Sequence, residues 1–188
     1  NGGFGTDTID WSGSSQTGGT YDISGGTATA LGGASEVMFG FENFIGTNQN
    51  DIIIEGNGLN EINAGSGNDT LRVNTAIGGD SLNGGFGTDT IDWSGSSQTG
   101  GTYDISGGTA SAGGETEVMF GFENFIGTNQ NDIIIEGGGL NEIDAGSGND
   151  TLRVNTAIGG DSLNGGFGTD TIDWSGSSQS GGTYDISG

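Results

Sequence analysis

The chain has no cysteine, no proline, no histidine and no lysine, and its only cationic side chains are Arg72 and Arg153. The missing cysteines exclude thiolate metal sites and disulfide staples. They leave the compartment open, because calcium can stabilise a secreted chain in place of disulfides. Without His, Cys or Lys, the usual general bases and activated nucleophiles have no partner, and no glycine-rich loop ends in a phosphate-binding Lys. The expectation is a protein that is not an enzyme. Two cations cannot build a phosphate-tracking surface, so no nucleic-acid partner is expected, and polyanionic polysaccharides are equally poor ligands. No apolar run reaches the roughly 18 residues of a membrane span. No signal peptide is visible, the first residue is Asn, and both ends fall inside a repeat. The chain therefore reads as a window cut from a longer repetitive protein.

What is present is glycine and acid. There are 44 glycines in 188 residues, only 29% of residues are hydrophobic, and the net charge is −23. Such a composition ordinarily indicates disorder. Periodicity argues against that here, since stacked repeats fold with a thin core by burying each unit against its neighbours. Residues 1–82 and 83–163 are two near-identical copies, and 164–188 begin a third. The copies differ at few places: Ala34-Ser35 becomes Glu115-Thr116, Asn57 becomes Gly138 and Asn63 becomes Asp144. An active site has no reason to be duplicated almost verbatim, whereas an array-forming segment does.

A finer period runs inside each copy. Ile53, Ile62 and Leu71 are nine residues apart, and Leu82 and Ile91 are again nine apart after a two-residue insertion. Two positions before these lie Asp51, Asn60, Asp69, Asp80 and Asp89, and the series recurs as Asp132, Asn141, Asp150, Asp161 and Asp170. Asp7 is the equivalent of Asp89. Glycine lies two residues before four of the first series, at Gly58, Gly67, Gly78 and Gly87, where it allows the left-handed angles of a tight turn. The short segment after each acid fits a strand with one inward side chain. If two nonapeptides complete one coil, Asp51 stacks over Asp69, Asp69 over Asp89, and Asn60 over Asp80. These eleven residues are the candidate metal ligands. Carboxylates plus turn carbonyls suit Ca²⁺, which accepts about 6–8 oxygens in flexible geometry, better than Mg²⁺. Six stacked pairs, each holding one Ca²⁺, would reduce −23 to about −11.

The motif GGFGTDTID at Gly2–Asp10, Gly84–Asp92 and Gly165–Asp173, with GSGNDTL at Gly65–Leu71 and Gly146–Leu152, resembles the nonapeptide of the RTX (repeats-in-toxin) family. Residues 46–53 lack the middle glycine, and residues 56–62 place Asn60 where Asp is expected. The stretch from Asp92 to Asp132 is similar to a long RTX variant whose insert ends in an I-E-N-like tripeptide, here Phe122-Glu123-Asn124. The resemblance implies an all-β parallel β-roll, or β-solenoid, with calcium-binding turns and longer inserts. It also implies export as an unfolded chain and folding in extracellular Ca²⁺. The expected function is a calcium-stabilised structural tandem-repeat segment of a large extracellular bacterial protein, such as a fibril, surface layer or adhesin stalk. Its expected partners are further copies of the repeat, stacked end to end and laterally. Two alternatives stay open: an ice- or ligand-binding module, or a secretion and folding region appended to a toxin or enzyme. Against regular ice binding, Gly46-Thr47-Asn48 and Gly127-Thr128-Asn129 occur only once per copy.

Strand alternation predicts that Trp11, Trp93 and Trp174 point inward with the isoleucines two residues before them. Tyr103 and Ile105 are predicted to form a similar inward pair, with Asp92 and Asp104 outward. Ile52-Ile53-Ile54 can bury only its central residue. Val37-Met38-Phe39-Gly40-Phe41 is too apolar for one face of one strand, so it reads either as a bent cap or as a lateral contact. Copies that stack in one orientation need whole coils, so the irregular half is expected to correct the odd count of nonapeptides.

Overall fold

The computed structural model describes residues 1–139, 141–156, 160–178, 180 and 183, which contain strands and turns but no helix. No helix among them could therefore cross a membrane. In chain order the strands are β1 (Thr8–Asp10), β2 (Gly19–Asp22), β3 (Thr27–Ala30), β4 (Ser35–Val37), β5 (Asn43–Ile45), β6 (Ile52–Ile54), β7 (Glu61–Asn63), β8 (Thr70–Arg72) and β9 (Ser81–Asn83). They continue as β10 (Thr90–Asp92), β11 (Thr102–Asp104), β12 (Thr109–Ala112), β13 (Glu115–Phe120), β14 (Asn124–Ile126), β15 (Ile133–Ile135), β16 (Glu142–Asp144), β17 (Thr151–Arg153), β18 (Ser162–Asn164) and β19 (Thr171–Asp173).

These strands form two parallel-rich sheets. One has the order β1-β5-β7-β9-β13-β12-β11-β15-β17-β19 and the other β18-β16-β14-β10-β8-β6-β2-β3-β4. From β5 to β11 the chain alternates between sheets at every strand, and β5, β6, β7 and β8 each pair in parallel with the strand two places later. The central residues stay in register: Ile53 lies beside Leu71, Leu71 beside Ile91, Ile91 beside Phe125 and Phe125 beside Ile143. Phe44, Ile62, Leu82 and Met119 form the matching row of the other sheet. The two rows supply most of the core, and Ile53, Leu71, Leu82, Ile91 and Phe125 have no exposed surface. Three-residue strands suffice because each buried side chain has apolar neighbours above, below and across.

The alternation rule holds beyond the strands. Trp93 is fully buried two residues after Ile91, and its ring lies 5.1 Å from that of Tyr103, which in turn lies 5.0 Å from Phe125. Trp11, Trp174 and Ile105 are only half-buried. Trp11 stacks 5.5 Å from Tyr21. Asp92 faces outward and meets Arg72 at 3.6 Å, and Asp104 accepts hydrogen bonds from its own turn at Ser106 and Gly107.

The irregular half of each copy is neither a cap nor a loop. Strands β2, β3 and β4, and likewise β11, β12 and β13, form antiparallel meanders, the first at the end of one sheet beyond β6 and the second within the other sheet between β9 and β15. Within β13, Met119 is buried while Val118 and Phe120 face outward, which resolves the excess of apolar residues into an inner and an outer row. The odd count of nonapeptides is not corrected. Between β5 and its equivalent β14 the chain crosses between sheets seven times, because the meander keeps three successive strands in one sheet. Seven is odd, so equivalent strands lie in opposite sheets: β5 in one, β14 in the other, and β1, β10 and β19 alternate. Successive copies are therefore not in the same orientation. Each meander adds two strands to one sheet, about 10 Å at the usual strand spacing. Because consecutive meanders fall on opposite sheets, the excess evens out over two copies.

Candidate metal centre

The GGFGTD turn is shaped by glycine. Gly85 and Gly87 adopt φ of 97° and 147°, a region where side-chain-bearing residues are strained. A Cβ at Gly87 would overlap the carbonyl oxygen of Gly67 in the turn beneath. Phe86 donates its N–H to Gly65 at 3.0 Å, and Gly67 donates to Phe86 at 2.9 Å. Stacked turns are thus bonded backbone to backbone, with Phe86 and Phe167 left exposed at their tips.

Each predicted stack is present. The Oδ1 of Asp69 accepts the Asp51 N–H at 2.8 Å, and that of Asp89 accepts the Asp69 N–H at 2.7 Å. On the other side Asp80 accepts the Asn60 N–H at 2.6 Å. The second copy repeats the pattern, from Asp132 N–H to Asp150 (2.8 Å), Asp150 N–H to Asp170 (3.0 Å) and Asn141 N–H to Asp161 (2.9 Å). One oxygen of each acid is therefore committed to a neighbouring turn. The second oxygen of Asp69, Asp80, Asp89 and Asp150 is buried and accepts no hydrogen bond, and so is that of Asp7. Asp161 and Asp170 are half-buried.

Asp51 and Asp132 differ from the rest. Asp51 accepts from the Gly19 N–H (3.1 Å), the Thr47 N–H (2.7 Å) and the Thr47 hydroxyl (3.1 Å), so both of its oxygens have protein donors. Gly101 and Thr128 serve Asp132 in the same way. Asn60 accepts the Gly56 N–H, and Asn141 donates to the Glu123 carbonyl, which leaves each amide one unpartnered atom.

Sequence reasoning missed Glu42 and Glu123. Their carboxylates accept the N–H of Asp7 and of Asp89, both at 2.9 Å, and so take the place of the next aspartate where an insert interrupts the series. The signal was the FEN tripeptide. Its Asn is the first residue of a strand, which sets the preceding Glu beside the turn.

Burial dominates the electrostatics. Asp51, Asp69, Asp89, Asp132 and Asp150 are at most 1% exposed, and removal from water penalises their charged forms. Asp69 is pushed up to about 7 by burial, eased by the hydrogen bond from Asp51 and raised further by the charges of Asp89 and Asp51. Asp89 is pushed up to about 6, again chiefly by burial, with Glu123 adding to it. Asp51, Asp132 and Asp150 shift in the same direction for the same first cause. Both cations are spent on the outer surface, where Arg72 meets Asp92 and Arg153 meets Asp173, so no side chain can neutralise the buried row. Rows of desolvated carboxylate oxygens without donors fit a hard cation, which accepts oxygen ligands alone. The donor set is right for Ca²⁺ at Asp7, Asp69, Asp80, Asp89 and Asp150, and least so at Asp51 and Asp132.

Comparison with known proteins finds no matching family model and no matching curated protein.

Proposed function

We propose that the chain is a calcium-stabilised structural segment of a large extracellular bacterial protein, built as an RTX-like parallel β-roll in which each repeat serves as a stacking unit rather than a catalytic one. One observation carries the reading: buried, unpartnered carboxylate oxygens recur at the same turn position, on Asp7, Asp69, Asp80, Asp89 and Asp150, in a chain whose two arginines pair elsewhere. Bound Ca²⁺ would supply the missing positive charge. The chain's own contribution is to fix one oxygen of each acid through the neighbouring N–H and to leave the other free. Calcium would then act as a folding trigger, since the same residues repel one another in its absence.

End-to-end stacking of repeats suits the sheet ends, where β1, β19, β18 and β4 each pair on one side alone among the described residues. An ice-binding surface gains no support, because Thr47 and Thr128 are buried with their hydroxyls on Asp51 and Asp132. The test is far-UV circular dichroism across a calcium titration. A β signal that is weaker in chelator and rises with added Ca²⁺ is expected, and an unchanged spectrum in chelator would overturn the proposal.

A further inference from the structure

Glu55, Asp80 and Glu117 lie outside the turn motif, apart from the aspartate that belongs to both. Each offers a carboxylate oxygen, and these three oxygens lie within 4.8 Å of one another. Oxygens bound to one Ca²⁺ at 2.3–2.6 Å can be no more than about 5.2 Å apart, so a single ion can reach all three. Their exposures are 0%, 2% and 0%. Each side chain is held by one oxygen: Glu55 by the Thr75 hydroxyl (2.9 Å), Asp80 by the Asn60 N–H (2.6 Å) and Glu117 by the Gly78 N–H (2.9 Å). The other oxygen of each is buried and unpartnered. Burial, then the neighbouring acids, push Glu55 up to about 9 and Glu117 up to about 8.

The three come from two successive copies. Glu55 follows β6 and Asp80 precedes β9, both in the first copy, whereas Glu117 stands in β13 of the second, the strand that pairs with β9. The second copy repeats two of them. Glu136 is held by the Thr156 hydroxyl and has a buried, unpartnered second oxygen, and the charge of Asp161 adds to the effect of burial on it. Glu36, the equivalent of Glu117, is exposed on β4 at the opposite end of the stack.

We propose that Glu55, Asp80 and Glu117 form a calcium site at the joint between repeats, two ligands from one copy and one from the next. Glu136 and Asp161 are the open half of the same site, which the Glu36-type residue of a following repeat would close. The joint makes stacking of one repeat on the next dependent on the ion and selective for the correct partner strand. It requires only these three side chains and does not depend on the other turn aspartates, such as Asp69 and Asp89, being occupied.

Equilibrium dialysis with Ca²⁺ on the 188-residue chain tests it. Glu117→Gln and Glu55→Gln, which keep the Gly78 and Thr75 hydrogen bonds, are each expected to bind one ion fewer, while Glu36→Gln binds as many as the parent. An unchanged count in Glu117→Gln, or an equal loss in Glu36→Gln, overturns the joint. Asp69→Asn separates the two readings. A loss there but not in Glu117→Gln leaves the turn sites and removes the joint, and the reverse leaves the joint alone. Should one amide variant fail to fold in saturating Ca²⁺, the other decides. Should both fail, Glu117→Asp, which keeps the charge on a shorter arm, must bind one ion at least tenfold more weakly, and unchanged affinity overturns the proposal.

Discussion

Replacing Asp69 with Asn is expected to stabilise the protein in chelator and destabilise it in calcium. Asp69 is 1% exposed, accepts the Asp51 N–H through Oδ1 and has nothing on Oδ2. Its carboxyl is pushed from the ordinary 3.8 to about 7 by burial. Holding it ionised at pH 8 therefore costs up to about 4 kcal/mol, at 1.36 kcal/mol per pH unit. Asparagine keeps the carbonyl acceptor and removes the charge, but brings an amide N–H₂ with no acceptor, a penalty of about 1–3 kcal/mol. The net gain without calcium is about 1–3 kcal/mol. Asn60 and Asn141 already occupy equivalent positions, so the backbone tolerates the residue. With calcium the sign reverses, because a charged ligand has been lost. Urea titrations followed by circular dichroism, in chelator and in excess Ca²⁺, measure both. A shift of the same sign in the two conditions would refute the reasoning, since a purely structural aspartate has no means of reversing it.

The pH dependence follows from the same groups. Asp69, Asp89, Glu117 and Glu55 are raised to about 7, 6, 8 and 9, so the folded chain holds more protons than the unfolded one. Their contribution is complete below about pH 4 and is lost as pH rises through about 6 to 9. The chelated protein is accordingly expected to melt at a higher temperature at pH 5 than at pH 8, and excess calcium to reverse the order. Leu71→Ala, in the row between Ile53 and Ile91 with no exposed surface, is expected to cost about 3–5 kcal/mol in calcium-bound protein, read from urea midpoints. Gly87→Ala, at φ 147° beneath a neighbouring carbonyl, is expected to cost at least about 2 kcal/mol. Gly13→Ala, with open space around its Cβ, is expected to be close to neutral in the same melts. Arg72→Ala removes a half-exposed ion pair and is expected to change stability by less than about 1 kcal/mol.

Spacing alone was enough for whatever lies inside a run of nonapeptides. A unit of constant length crosses from one sheet to the other once, so residues 18 or 20 apart must meet, and Asp51, Asp69 and Asp89 do. The inward positions of Ile53, Trp93 and Tyr103 follow from alternation. Glu55, two residues after Ile53, is buried on the same inward side. Tertiary structure alone decided the sheet swap between copies and the meeting of Glu55, Asp80 and Glu117. Both depend on the insert, which folds back on itself and adds strands to one sheet without advancing the chain to the other. No local period records where such a meander re-enters the stack. That is set by which edge its outer strand can pair with, and the pairing of β13 with β9 is what carries Glu117 to the acids of the preceding repeat.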